Sequence, residues 1–185
     1  MTNIIIFHGI GGSPHSYWIP WLRNEIEKAG HTTQSLQFPH AKSPAIETWL
    51  SFALEKFHFT EDTILIGHSA GGPLILSILE NIPVRVKKAI LVAGFSMPLK
   101  EGKPEPILQD NYEWERIKSH ASKFIFINSD NDPWGCNDTQ GRFMQEKLGG
   151  ELIVLHEGHM GSDTFNQPYK EFPLLLKLIS ADSLL

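Results

Sequence analysis

Cysteine is nearly absent: Cys136 is the single thiol in 185 residues. One thiol excludes an internal disulfide and fits a reducing compartment. No block of Lys or Arg occurs, and the formal net charge is −5. That leaves no electrostatic footprint for nucleic acid or an anionic membrane. Long apolar runs are missing as well. The longest, such as residues 89–95, fall far short of the ~20 residues that cross a bilayer. The amino-terminal stretch has no basic region, and its apolar run at 4–7 stops at Gly9, so no secretory signal is expected. Nine histidines occur, yet no H-E-x-x-H does. His156-Glu157-Gly158-His159 is one residue short of it, and no metal is expected. The glycine loop at 9–12 lacks the Lys-Ser/Thr ending of a phosphate-binding loop. It also fails the G-x-G-x-x-G spacing, because position 14 is proline. These absences leave a soluble, cytoplasmic protein without a cofactor as the expectation. Residues 1–185 are expected to form one domain. At this length folding can bury roughly 70% of the unfolded chain's surface, enough for a core without staples.

What is present is regular. Short continuous apolar runs occur at 4–7, 64–66, 89–92, 124–127 and 152–155. Runs of this length, rich in Ile and Val, suit strands buried on both faces of a parallel sheet. Residues 33–38 alternate more and predict a half-wet edge strand. Helical periodicity lies between them. Ile46, Trp49, Leu50, Ala53, Leu54 and Phe57 share one helix face, and Ser43-Pro44 supplies a capping residue followed by proline. Further helices are predicted over about 16–29, 70–80, 139–148 and 169–179. This alternation predicts an α/β protein: a three-layer α/β/α sandwich of about six mainly parallel strands. The longest irregular stretch, 94–122, contains Pro98, Pro104 and Pro106, then a short helix around Trp114 and Ile117.

Gly67-His68-Ser69-Ala70-Gly71 matches G-x-S-x-G. With 15 Gly and 14 Ser, about 0.09 chance matches are expected, so the bare motif is weak. Its setting strengthens it. A buried strand precedes it and an apolar helix follows, as a nucleophile elbow requires. A serine hydroxyl needs a base, and the base needs an orienting acid. In this architecture they follow in the order Ser, acid, His. Asp130, Asp132 and Asp138 follow the strand at 124–127. Asp132, before Pro133, is the preferred acid. Asp130 suits a turn cap, and Asp138 a helix N-cap. His156 and His159 follow the strand at 152–155. His159 lies farther out, between Gly158 and Gly161, and is the preferred base. The oxyanion hole needs two N–H groups. Ala70 should supply one. Ile10 should supply the other, with Gly11 as the fallback. Trp114 and Trp134 are candidates for a pocket wall or for plain packing. Cys136 is read as a structural or surface thiol.

Together these residues resemble the α/β-hydrolase superfamily. Within it they resemble the small serine hydrolases similar to retinoblastoma-binding protein nine and their bacterial relatives. The likeness covers nearly the whole chain. It includes the early glycine loop, the 67–71 elbow, Trp114-Glu115-x-Ile117-Lys118, Ser129-x-x-Asp132-Pro133 and Gly158-His159. His8-Gly9 departs from the Pro-Gly of the human member, but this pair is common in the wider superfamily. The resemblance implies Asp132 as acid and His159 as base. It implies hydrolysis of small-molecule esters or amides through an acyl-enzyme, without a cofactor. A binding role has also been attached to the family, so a protein-binding module on a retained hydrolase fold is the alternative. The stretch 94–122 is too short for a full cap domain. A stripped core with a shallow site, suited to short or flexible acyl groups, is expected.

Overall fold

A computed structural model describes residues 2–99 and 104–180. The elements in chain order are β1 (Asn3–Phe7), α1 (Ile19–Lys28), β2 (Thr32–Gln34), α2 (Ile46–Lys56), β3 (Thr63–His68), α3 (Gly71–Asn81), β4 (Lys88–Val92), α4 (Trp114–Ser119), β5 (Phe124–Ser129), α5 (Asp138–Leu148), β6 (Glu151–Leu155) and α6 (Pro173–Ser180). The strands form one sheet in the order β2-β1-β3-β4-β5-β6, and every pairing is parallel. The apolar runs explain this. The central strands β3 and β4 are buried along their whole length, as a sheet covered on both faces requires. Helices α1 and α6 pack together on one face, while α2, α3, α4 and α5 pack in succession on the other. The architecture is a three-layer α/β sandwich. No helix among the described residues is long and apolar enough to cross a membrane.

The strand order matters for function. From β1 the chain first moves outward to β2, then returns to β3 on the other side of β1. The connections leaving the carboxyl ends of β1 and β3 therefore diverge, and open α/β sheets place their sites in such a crevice.

Several element ends differ from the sequence expectation. The edge strand β2 has three residues rather than the predicted six. Beyond it Ser35 donates to the Ile6 carbonyl through its side chain, and Phe38 turns into the core. Packing of that ring ends the ladder. The Ser43-Pro44 pair does not cap α2. Ala45 is the extended residue before it, with no side-chain cap. Helices α1 and α6 start later than expected, beside Pro20 and at Pro173. Asp138 is not the N-cap of α5. Asn137 fills that place and accepts from the Thr139 N–H at 3.1 Å, and Asp138 pairs with Arg142 one turn on.

The irregular stretch around 104–113 is strapped to α3. The buried Glu80 carboxylate accepts from the Glu113 N–H and from Gln109 Nε2, at 2.5 and 2.9 Å. Lys88, also buried, donates to the Leu178 carbonyl at 2.6 Å. This places a cation at the carboxyl end of α6, where the helix dipole favours one.

Candidate active site

Between β3 and α3 the chain reverses direction within a few residues. Ser69 sits at the apex with φ +53°, a region that non-glycine residues seldom occupy. Glycines on both sides permit the turn. A Cβ on Gly67 would lie 2.3 Å from the Gly71 carbonyl oxygen, and one on Gly71 would lie 2.7 Å from that of Phe7. Both encounters are with backbone, which cannot give way. The turn is tied down by the Ser69 N–H, which donates to the Val92 carbonyl at 2.9 Å. Backbone strain held by its surroundings in this way is typical of functional sites.

The loops after β5 and β6 bring the other two predicted groups together. His159 Nδ1 lies 2.7 Å from Asp132 Oδ2, and both residues are buried. An ionised carboxylate only accepts, so Nδ1 carries the proton and Nε2 keeps its lone pair. The other Asp132 oxygen accepts from the Trp134 N–H at 2.8 Å. Among the described residues no hydrogen bond joins the Ser69 hydroxyl to His159. The hydroxyl instead lies against the Cys136 thiol. Such a catalytic contact commonly tightens only when substrate is bound.

His159 is held from three directions. Its N–H donates to Gln167 Oε1 at 2.9 Å. Its carbonyl accepts from His68 Nε2 at 2.9 Å. The next carbonyl, of Met160, accepts from the Trp18 indole at 3.0 Å. His68 is fully buried, and burial first, with His159 alongside second, pushes its pKa down to about 3. It is therefore a neutral ring that positions the loop carrying His159. Because the folded value lies below the ordinary 6.5, the unfolded chain binds the extra proton. The stability this group contributes is complete above about pH 6.5 and drains away as pH falls toward 3. At about pH 5 the loss should be roughly 2 kcal/mol. Thermal melts of the wild type and of His68→Gln, which keeps a donor but does not titrate, should show a flatter acid limb for the variant.

The glycine loop after β1 faces the elbow. His8 is buried; its Nδ1–H donates to the Gly9 carbonyl and its Nε2 accepts from the Phe38 N–H. Burial lowers its pKa, which keeps this tautomer neutral. Gly11, the fallback oxyanion donor, is already engaged with the Ala41 carbonyl at 2.7 Å. The N–H groups of Ile10 and Ala70 have no backbone acceptor among the described residues.

Ser69, His159, Ile10, Tyr17 and Trp134 share the wall of one cleft of about 340 Å³. Trp134 lies there with its indole donating to Ser162 Oγ at 3.3 Å. Trp114 does not. It packs against Tyr112 and Phe143 and lines a separate cleft beside 104–112. Asp130 does not cap its turn through its side chain. It pairs with His156 at 2.6 Å on the exposed surface. Sequence reasoning missed four contributors: His68, Asn128, Gln167 and Cys136. His68 stands inside the motif, yet nothing local says that its partner is 91 residues away. Asn128 bridges the carbonyls of Gly94 and Cys136 at 3.0 and 2.9 Å, which aligns the loop carrying Asp132. Only its place at the end of an apolar strand could have flagged it.

The serine hydrolase family profile matches residues 4–179 of the chain. The protein belongs to the serine hydrolase family. YdeN of Bacillus subtilis is 31% identical over 187 residues, spanning 97% of this chain and 95% of that protein. The serine hydrolase RBBP9 of Rattus norvegicus is 27% identical over 139 residues, 72% of this chain and 73% of that protein. Among solved structures, the ydeN gene product superposes with a TM-score of 0.86 over 97% of each chain, at 24% identity in that alignment. Est1E of Butyrivibrio proteoclasticus, solved with ferulic acid, superposes with a TM-score of 0.65 at 14% identity, covering 97% of this chain and 86% of its own. This serine hydrolase thus has the α/β-hydrolase fold that its sequence resembles.

Proposed function

We propose that this serine hydrolase cleaves carboxylic esters of small acyl groups, and secondarily amides, through an acyl-enzyme on Ser69. One observation carries the reading: His159, 2.7 Å from the buried Asp132 carboxylate behind it, lines the same cleft as a strained serine. Ser69 Oγ attacks the carbonyl carbon while His159 Nε2 takes its proton. Asp132 holds the ring in the required tautomer and stabilises the imidazolium. The Ile10 and Ala70 N–H groups receive the oxyanion, helped by the amino end of α3. His159 then gives the proton to the leaving alcohol. Water, deprotonated by the same ring, attacks the acyl-enzyme and releases the acid. A cleft of about 340 Å³ lies at the small end of ligand sites, which favours short acyl chains over long lipids.

A fluorophosphonate probe tests the nucleophile directly. It should label the folded protein once, and peptide mapping should place the adduct on Ser69. A folded protein that takes up no label but captures a specific protein partner would overturn the reading in favour of a binding module.

A further inference from the structure

The mechanism leaves one buried nucleophilic group unused. Cys136 is 1% exposed, yet its side chain borders the catalytic cleft. Its carbonyl is clamped by Asn128 from the end of β5, so the sheet sets where the sulfur stands. That sulfur, a carboxylate oxygen of Asp132 and a ring nitrogen of His159 all lie within 4.8 Å of one another, and all three residues are buried.

Sulfur, imidazole nitrogen and carboxylate oxygen are the donors of a three-ligand zinc site with an open fourth position. Metal–ligand bonds of about 2.0–2.3 Å put tetrahedral ligand atoms roughly 3.3–3.8 Å apart. Side-chain rotations must close separations of up to 4.8 Å and, for coordination at Nδ1, open the 2.7 Å contact with Asp132. Magnesium and calcium demand oxygen ligands and would not use the sulfur. The cleft supplies the route in and space for a water as fourth ligand.

We propose that a thiophilic divalent cation, zinc foremost, binds Cys136, Asp132 and His159 and reversibly switches the hydrolase off. On binding, the thiol proton leaves to solvent and the freed sulfur pair goes to the cation. Asp132 donates an existing carboxylate lone pair, His159 donates the lone pair of whichever ring nitrogen carries no proton, and no electron is transferred between centres. Coordination at His159 Nε2 takes the lone pair that would receive the Ser69 proton. Coordination at Nδ1 first needs the proton it directs at Asp132 to move to Nε2, which then cannot accept one from Ser69. The base is lost in both geometries. The inhibition rests on the proposed role of His159; the binding does not.

The test uses metal-free protein. Cobalt titration of the wild type should raise a thiolate-to-cobalt charge-transfer band, and Ser69→Ala should keep it. Cys136→Ser and Cys136→Ala should lose the band. They should also weaken zinc binding at least tenfold, measured by competition with a chromophoric chelator. Circular dichroism confirms that each variant is folded. Zinc, but not magnesium, should protect wild-type Ser69 from fluorophosphonate at the concentrations where it binds. The proposal is overturned if cobalt gives no thiolate band, or if the Cys136 variants bind zinc as tightly as wild type through exposed histidines such as His156. Binding without protection of Ser69 overturns the switch. Absence of labelling in zinc-free protein would instead count against the nucleophile itself.

Discussion

Ser69→Ala should lower kcat on small esters by about 10⁴- to 10⁶-fold, with KM nearly unchanged. The loss is that large because one atom is removed from a device that works as a unit. His159 and Asp132 have nothing to activate once the hydroxyl is gone. The remaining rate should come from the oxyanion donors and from binding alone. Alanine is as strained as serine at φ +53°, so the fold should survive, and circular dichroism checks that. The adjacent thiol should not rescue the reaction. Burial, with Asp132 and Glu105 adding to it, raises the Cys136 pKa well above its ordinary value, so it is a thiol rather than the thiolate that attacks. Ser69→Ala and Ser69→Ala/Cys136→Ala should therefore show the same residual rate. Substantial esterase activity in a clean Ser69→Ala preparation would remove Ser69 from the mechanism.

The second large effect separates two look-alike pairs. Asp132–His159 is buried, with its atoms 2.7 Å apart. Asp130–His156 has an equally short contact of 2.6 Å, but side chains 53% and 77% exposed. Asp132→Asn should reduce kcat by about 10⁴-fold. An amide in that place can donate to Nδ1, which turns the ring into the tautomer whose Nε2 bears the proton and cannot accept one. Asp130→Asn should change kcat by less than about threefold, because an exposed ion pair is worth little. Matched steady-state assays of the two variants decide the matter. Equal losses would mean that the acid had been misassigned.

Much of this was legible before any fold was known. The apolar runs identify the strands because a parallel sheet buried on both faces leaves no polar side. The elbow is legible because it is local: Gly67, Ser69 and Gly71 stand within five residues, and strand and helix flank them. The preference for Asp132 over Asp130 and Asp138 rested on a neighbouring proline and on exclusion, which is a weaker kind of reading. The short β2 and the uncapped start of α2 were not legible, since Phe38 and Ala45 take their places from tertiary packing rather than from their neighbours in sequence.

The sequence by itself determined the order of elements, the place of Ser69 on a strand-to-helix turn and the chain order of the three candidate groups. All of these depend on residues close together along the chain. Tertiary structure alone decided which carboxylate meets which histidine, that Trp134 rather than Trp114 reaches the cleft, and that His68 supports residue 159. It also decided where the single cysteine lies. Scarcity makes Cys136 look incidental, but its sulfur stands within 4.8 Å of a carboxylate oxygen of Asp132 and a ring nitrogen of His159. The reason is physical. Loops from separate strands converge at one edge of the sheet, and such through-space proximity leaves no mark on spacing along the chain.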